Sequence, residues 1–305
     1  MKIKNVAMIG MGAIGTVYGS FLYKRYGSDF AVIAGEKRNI KLKSEGITLN
    51  NNTFYPLVLS PDKKDIKYDL IIFCVKNYQL DKAIDDVRNF VGENTIILTI
   101  LNGITARDRI LSAYPDNKVL YGLSTHMNAV RTPEGVFSTE YGEIQFGYGD
   151  NTVIAPEVQA VQELLNEARI KNKVFPDMIR AMWKKFMLNV GVNQVTAITK
   201  ASYEKVASVK TNLILYKEAM MEVLKVAQAS GVDLREKDVE ELMASITSRL
   251  SAKEKTSMLQ DVEAKRKTEV DYFSGLVVEM GKKLSIPTPV NHVLYCLIKS
   301  IEELY

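Results

Sequence analysis

Over the first 176 residues the apolar positions come mostly as short unbroken runs; beyond them they recur every three or four residues. Ile3 with Val6–Ile9, then Phe30–Ala34, Asp69–Val75 and Thr95–Leu101, read as strands, the later ones continuous enough to be covered on both faces of a parallel sheet. Between them the spacing changes. Val17, Phe21 and Leu22 start a helical stripe that runs to about Tyr26, where Gly27-Ser28-Asp29 breaks it, and Leu80, Ala83, Ile84 and Val87 form another. Ile47 to Leu59 carries two β-rich pieces around Asn50-Asn51-Asn52, the pattern of a hairpin-like excursion. Further strands are expected at Val119–Leu123 and Glu143–Gly147, a helix from Pro156 to Ala168, and a last short strand at Lys173–Phe175. This alternation predicts an α/β, Rossmann-type dinucleotide-binding domain over residues 1–176. Residues 177–305 lack β-rich clusters and have prolines only at 287 and 289, so an all-α domain is expected there.

The first strand runs into Gly10-Met11-Gly12-Ala13-Ile14-Gly15, a GxGxxG between strand and helix. That context suits a dinucleotide. Gly10 permits the tight turn, Gly12 lets the backbone approach a pyrophosphate, and Gly15 lets helix and strand pack closely. Free N–H groups at the helix start then face the phosphates. A glycine-rich turn with no ligand is the plainer alternative. The second strand ends in Gly35-Glu36-Lys37-Arg38, where a Rossmann fold meets the adenosine ribose, and its signals conflict. Glu36 suits the free 2′-hydroxyl of NAD(H), whereas Lys37 and Arg38 suit the 2′-phosphate of NADP(H); a solvated charged turn suits neither. Lys76 and Asn102-Gly103 follow two further strands at the carboxyl edge of the sheet, the edge at which open α/β sheets bind ligands. Their alternatives are an exposed lysine opening a helix and a bare turn. Thr125-His126 is expected either to reach the cleft or to be structural.

In the second half, Lys185, Asn189 and Asn193 recur every four residues and form one stripe on a helix. Phe186, Met187, Leu188, Val190 and Val192 surround them, so that helix is expected to be buried, where polar groups need partners. Those partners are either a ligand, or one another or a neighbouring helix. Ser257 and Gln260 have capping-box spacing, so Ser257 is expected to start a long helix, with Glu269 about three turns along it.

Composition narrows the class. The chain has 305 residues, 47% hydrophobic and 25% charged, which suits two soluble globular domains. Its net charge of +4 is spread in short pairs with no basic run and interleaved aromatics, which argues against a nucleic-acid partner. Cys74 and Cys296 have no zinc-like spacing, so neither a metal site nor a disulfide scaffold is expected, and Cys74 reads as a core thiol. No apolar stretch approaches the roughly 20 residues that span a bilayer. The first strand begins almost at once, so a cytoplasmic protein without a membrane partner is expected.

Taken together the motifs resemble the ketopantoate reductase (2-dehydropantoate 2-reductase) family over nearly the whole chain. The resemblance rests on the glycine loop, Val75-Lys76, Asn102-Gly103, Trp183-x-Lys185 with Asn189 and Asn193, and Ser257-Met258-x-Gln260-Asp261 followed by Thr268-Glu269. It implies NADPH-dependent reduction of 2-dehydropantoate to pantoate, a step toward pantothenate and coenzyme A. It implies Lys185 as general acid and Glu269 as a catalytic-support or substrate-binding residue. Asn102, Asn189, Asn193 and Ser257 would hold the substrate, a small 2-oxoacid, with Lys76 and Asn102 also beside the cofactor. The family often has an arginine at the end of the second strand, where this chain has Ala34-Gly35-Glu36, so NAD(H) stays open beside NADP(H). The chemistry agrees on its own terms: hydride arriving at a ketone makes an alkoxide, which needs a proton and a positive partner. The sheet domain would supply the nicotinamide and the helical one the lysine, which predicts an interdomain active site. Two other readings stand beside this one: a reductase for a different 2-oxoacid or a 3-hydroxyacid, and a dinucleotide sensor without turnover. An apolar helical domain is also compatible with a homodimer.

Overall fold

A computed structural model describes residues 2–202, 204–205, 208–248 and 254–305. The chain divides into two compact units, Met1–Ile179 and Arg180–Tyr305. The first opens β1 (Val6–Ile9), α1 (Ala13–Tyr26), β2 (Phe30–Ile33), α2 (Glu36–Glu45), β3 (Ile47–Leu49), β4 (Asn52–Phe54) and β5 (Leu57–Leu59). It continues with β6 (Leu70–Phe73), α3 (Leu80–Asp86), β7 (Ile96–Thr99), α4 (Ala106–Ala113), β8 (Lys118–Met127) and β9 (Val130–Arg131). β10 (Val136–Phe137), β11 (Tyr141–Gly147), α5 (Pro156–Glu167) and β12 (Asn172–Val174) complete it.

Eight strands form one sheet in the order β12-β11-β8-β7-β6-β1-β2-β5, in which every neighbouring pair except β8 and β11 is parallel. Successive side chains of a strand point to opposite faces, and the core divides accordingly. Val6, Met8, Val32, Leu70 and Ile72 pack with Val17 and Leu22 of α1 and Val161 and Leu165 of α5. Ala7, Ile9, Ile33, Ile71 and Phe73 pack on the other face with Leu80 and Ile84 of α3 and Ile110 of α4. The sheet is therefore a middle layer, which explains why its strands read as unbroken apolar runs.

The excursion after α2 is only partly a hairpin. β3 and β4 pair antiparallel around Asn50 and Asn51, both at positive φ, the geometry of a tight two-residue turn. Leu57–Leu59 instead joins β2 in the main sheet, while β3 and β4 form a small second sheet with β9 and β10.

The second unit is helical. α6 (Met178–Thr199), whose first two residues belong to the first unit, is followed by α7 (Lys210–Ala229), α8 (Glu236–Ser248), α9 (Ser257–Glu263), α10 (Ser274–Leu284) and α11 (Pro289–Glu303). Gly191 lets α6 approach α7 closely: a Cβ there would lie 2.6 Å from Met220 Cε. Buried Glu222 of α7 accepts the N–H groups of Val290 and Asn291, 2.9 Å each, and so satisfies the start of α11. The long helix expected from Ser257 is not formed. α9 has seven residues, and Thr256 rather than Ser257 caps it by accepting the Leu259 N–H at 3.2 Å. Glu269 lies beyond it, at the start of a 3-10 turn over Val270–Tyr272. Among the described residues no helix is long and apolar enough to cross a membrane.

Candidate functional site

The parallel registers Ile9↔Ile33, Ile9↔Phe73 and Phe73↔Thr99 bring the carboxyl ends of β2, β1, β6 and β7 to one edge. The loops carrying Gly35, Gly10, Lys76 and Asn102 therefore leave the sheet side by side. β1 lies between β2 and β6, so the chain order reverses beside the glycine loop, the place where doubly wound sheets bind nucleotides.

The three glycines of that loop answer to different demands. A Cβ on Gly10, which has φ +101°, would lie 2.5 Å from the Cys74 backbone, and one on Gly15 would lie 2.0 Å from the Gly10 carbonyl oxygen. Packing within the protein explains both. Around Gly12 a Cβ would meet nothing within 4 Å, and its φ of −79° is open to any residue. The protein itself gives no reason for a glycine there, whereas a pyrophosphate seated on the start of α1 does. Gly12 caps that helix without a side chain, and no acid occupies the first turn, so the N–H groups of Ala13 and Ile14 are left for an anion. The loop fits a dinucleotide.

Gly35-Glu36-Lys37-Arg38 is not a turn. Gly35 caps α2, and Glu36, Lys37 and Arg38 form its first helical turn, with the Asn39 N–H donating to the Gly35 carbonyl at 2.8 Å. Glu36 is exposed and complements the positive end of the helix dipole, a structural use for an acid at this position. Lys37 is exposed as well. Arg38 folds back, and its Nη2 donates to the Met11 carbonyl at 3.2 Å, which puts a guanidinium against the glycine loop. Burial first, and the charge of Arg131 second, lower the pKa of Arg38 below its ordinary value.

Lys76, half-buried, precedes a 3-10 turn over Asn77–Gln79 and accepts the Gln79 N–H at 2.9 Å on its carbonyl. Asn77 is fully buried, and its side-chain amide donates to the Asn102 carbonyl at 2.8 Å. That bond ties the end of β6 to the end of β7 and holds Lys76 and Asn102 in one register. The sequence pattern passed over Asn77; an amide directly after Lys76, just past an apolar strand, was the available signal. His126 has φ +54° at the far end of β8, exposed, with Nδ1 3.1 Å from Thr125 Oγ1. Cys74 is a core thiol, and burial pushes its pKa up.

In the helical unit, α6 presents Lys185, Asn189 and Asn193 along about 12 Å of helix. Asn193 is buried, whereas Lys185 and Asn189 are partly exposed. At the Asn193 end, the Thr196 hydroxyl meets that of Thr256 at 2.7 Å, which docks the start of α9, and hence exposed Ser257, beside α6. At the other end, Phe186 contacts both Trp183 and Phe273 edge-on, with centroids 5.8 and 6.3 Å apart. Phe273 belongs to the segment that carries Glu269, which is 4% exposed. Burial lowers the Lys185 ammonium to about 8, and the Glu269 carboxylate opposes the fall. Lys185, Asn189, Asn193, Ser257 and Glu269 are thus gathered along one helix, with a lysine whose pKa burial lowers at one end. Neighbouring Lys184 has a different place: with Arg180 it grips buried Asp238, at 2.9 and 2.7 Å, and fastens α6 to α8.

Two family models match the chain: ketopantoate reductase PanE/ApbA over residues 6–151, and ketopantoate reductase PanE/ApbA C terminal over residues 177–302. A 2-dehydropantoate 2-reductase of Pyrococcus horikoshii is 28% identical over 312 residues, covering 98% of each chain. The crystal structure of 2-dehydropantoate 2-reductase from Methylococcus capsulatus superimposes with a TM-score of 0.82 at 27% identity, over 98% of this chain and 96% of that one. D-mandelate dehydrogenase, solved with NADH and anilino(oxo)acetate, shares the fold with a TM-score of 0.87 at 23% identity and 98% coverage of both chains.

Proposed function

The chain belongs to the ketopantoate reductase family, a family of oxidoreductases, and on that premise we propose that it reduces 2-dehydropantoate to pantoate with NADPH. The observation that carries the reading is Lys185, an ammonium lowered to about 8 by burial, at the head of the Asn189–Asn193 stripe and opposed by Glu269. A sensor that only binds a dinucleotide has no use for such a proton donor. When bound, the reduced nicotinamide supplies a hydride to the ketone carbon. The glycine loop and the start of α1 would hold the pyrophosphate, with Lys76 and Asn102 available to it at the sheet edge. The carbonyl oxygen gains negative charge in the transition state, and the Lys185 ammonium stabilises that charge and then donates its proton to the oxygen. Lys185 is left a neutral amine and regains a proton from solvent, with Glu269 favouring the charged form. Asn189, Asn193 and Ser257 bind the hydroxyl and carboxylate oxygens of the substrate without adding negative charge.

The NADPH preference rests on Arg38 at the Met11 carbonyl and Lys37 in the same helical turn. Against it stands Glu36, and the second reading is an NADH-dependent reductase of another 2-oxoacid. One assay separates them: a panel of 2-oxoacids with each cofactor, followed by the loss of reduced-nicotinamide absorbance. Turnover confined to ketopantoate with NADPH is the expected result. Turnover of an aromatic 2-oxoacid with NADH would replace the proposal, and dinucleotide binding without turnover of any acid would end it.

A further inference from the structure

We propose that Glu302, near the end of α11, is a positioning residue that holds Thr268 and thereby aims Glu269 at Lys185. Its Oε1 accepts two hydrogen bonds from Thr268, one from the backbone N–H and one from the hydroxyl, both 2.7 Å. Thr268 Oγ1 in turn accepts the Val270 N–H at 3.2 Å. Thr268 is therefore tied to the carboxylate and Val270 to Thr268, and the Glu269 carbonyl is engaged by the Tyr272 N–H at 2.9 Å. The chain before the clamp, from Glu263 to Lys267, is exposed, whereas Thr268, Glu269 and Val270 are buried. The clamp thus sits where the segment turns inward. Without an acceptor, two donors of Thr268, itself 1% exposed, would be stranded, a cost that the segment can relieve only by moving outward. Glu302 is held in place from its own helix: Lys299 donates to its Oε2 at 3.1 Å, and its side chain is 11% exposed.

The charged surroundings of both ends are distinct. Lys185 is faced by Glu269, while adjoining Lys184 turns to Asp238 and Glu241. Glu302 is faced by Lys299, which also lies 3.5 Å from Asp271, and by Tyr305, which in turn feels Asp261. A change at Glu302 therefore reaches Lys185 through Thr268 and Glu269.

The catalytic meaning of the clamp rests on Lys185 being the proton donor, but its test does not need turnover. The full-length protein is labelled without substrate by competitive acetylation at a series of pH values, and the Lys185 peptide is quantified by mass spectrometry. The parent should titrate near 8. Glu302→Ala and Glu269→Gln should both move the titration to lower pH; a fall of one pH unit makes Lys185 react about fivefold faster at pH 7. Glu302→Gln keeps an oxygen for both Thr268 donors and should titrate like the parent. Thr268→Val, which removes the hydroxyl arm and with it the acceptor of the Val270 N–H but keeps the backbone arm, should shift partway and covers the case in which Glu302→Ala does not fold. Parent-like titration in folded Glu302→Ala, or in Thr268→Val where that variant alone folds, overturns the clamp. If the titrations shift as stated but no 2-oxoacid is reduced, the clamp stands and the proposed function falls.

Discussion

Raising the pH should switch the enzyme off through one residue, and the size of the effect follows from where that residue sits. In the proposed mechanism Lys185 acts in its charged form, and burial on α6 brings its pKa down to about 8. A group lowered in this way is protonated below that value and loses its proton above it. About nine-tenths of the molecules carry the ammonium at pH 7, about a tenth at pH 9 and about a hundredth at pH 10. Turnover of ketopantoate should therefore be level to pH 7 and fall about tenfold per pH unit above 8. Lys185→Ala removes the donor altogether and should lower kcat by roughly 10²- to 10⁴-fold, the usual scale of general acid catalysis. Dinucleotide affinity should barely change, because the glycine loop belongs to the other unit. The assay is kcat and kcat/KM for ketopantoate from pH 6 to pH 10, with dinucleotide binding measured separately by fluorescence. A flat profile to pH 10, or a Lys185→Ala variant with near-normal kcat, would refute the assignment of Lys185 to the chemistry.

Three further expectations follow from the same geometry. Gly12→Val should leave the melting temperature unchanged yet weaken dinucleotide binding at least tenfold, about 1.4 kcal/mol, whereas Gly15→Ala should destabilise the fold by about 1–3 kcal/mol by driving a Cβ into the Gly10 carbonyl; equal stability loss in both would remove the ligand argument for Gly12. Arg38→Ala should lower kcat/KM for NADPH more than for NADH and Lys37→Ala should do so less, read from steady-state constants with each cofactor; a parent that prefers NADH, with both variants indifferent, would mean that Glu36 serves the ribose. Asp238→Ala takes the shared carboxylate from Arg180 and Lys184, leaving Lys184 with Glu241 and Arg180 with the Asp233 carbonyl, and should cost about 1–3 kcal/mol in chemical denaturation, less than a fully buried pair because both cations reach solvent; an unchanged midpoint would show that the contact is not needed to join α6 and α8.

Local pattern was enough to determine the class of each half. A middle-layer sheet needs unbroken apolar strands, and a helix needs a stripe, so Val6–Ile9, Leu70–Phe73, Ile96–Thr99 and the Lys185–Asn193 face were legible as residues alone. Gly10 and Gly15 were legible because the strand–turn–helix step demands them. What depends on partners distant in sequence was not. Leu57–Leu59 reads as part of a hairpin until β2 is there to pair with it, 26 residues earlier at Ile33 and Ala31. Ser257 has the spacing of a cap, yet Thr256 holds that place because its hydroxyl also meets Thr196 on α6. Glu269 falls on a helix by spacing and leaves it in the folded chain, because Thr268 is drawn to Glu302 across 34 residues. Lys37 and Arg38 were equivalent in the sequence; only the turn of α2 sends one to solvent and the other to the Met11 carbonyl. The lowered ammonium of Lys185 has the same origin, since desolvation is set by whatever packs around a side chain, and that belongs to the tertiary structure.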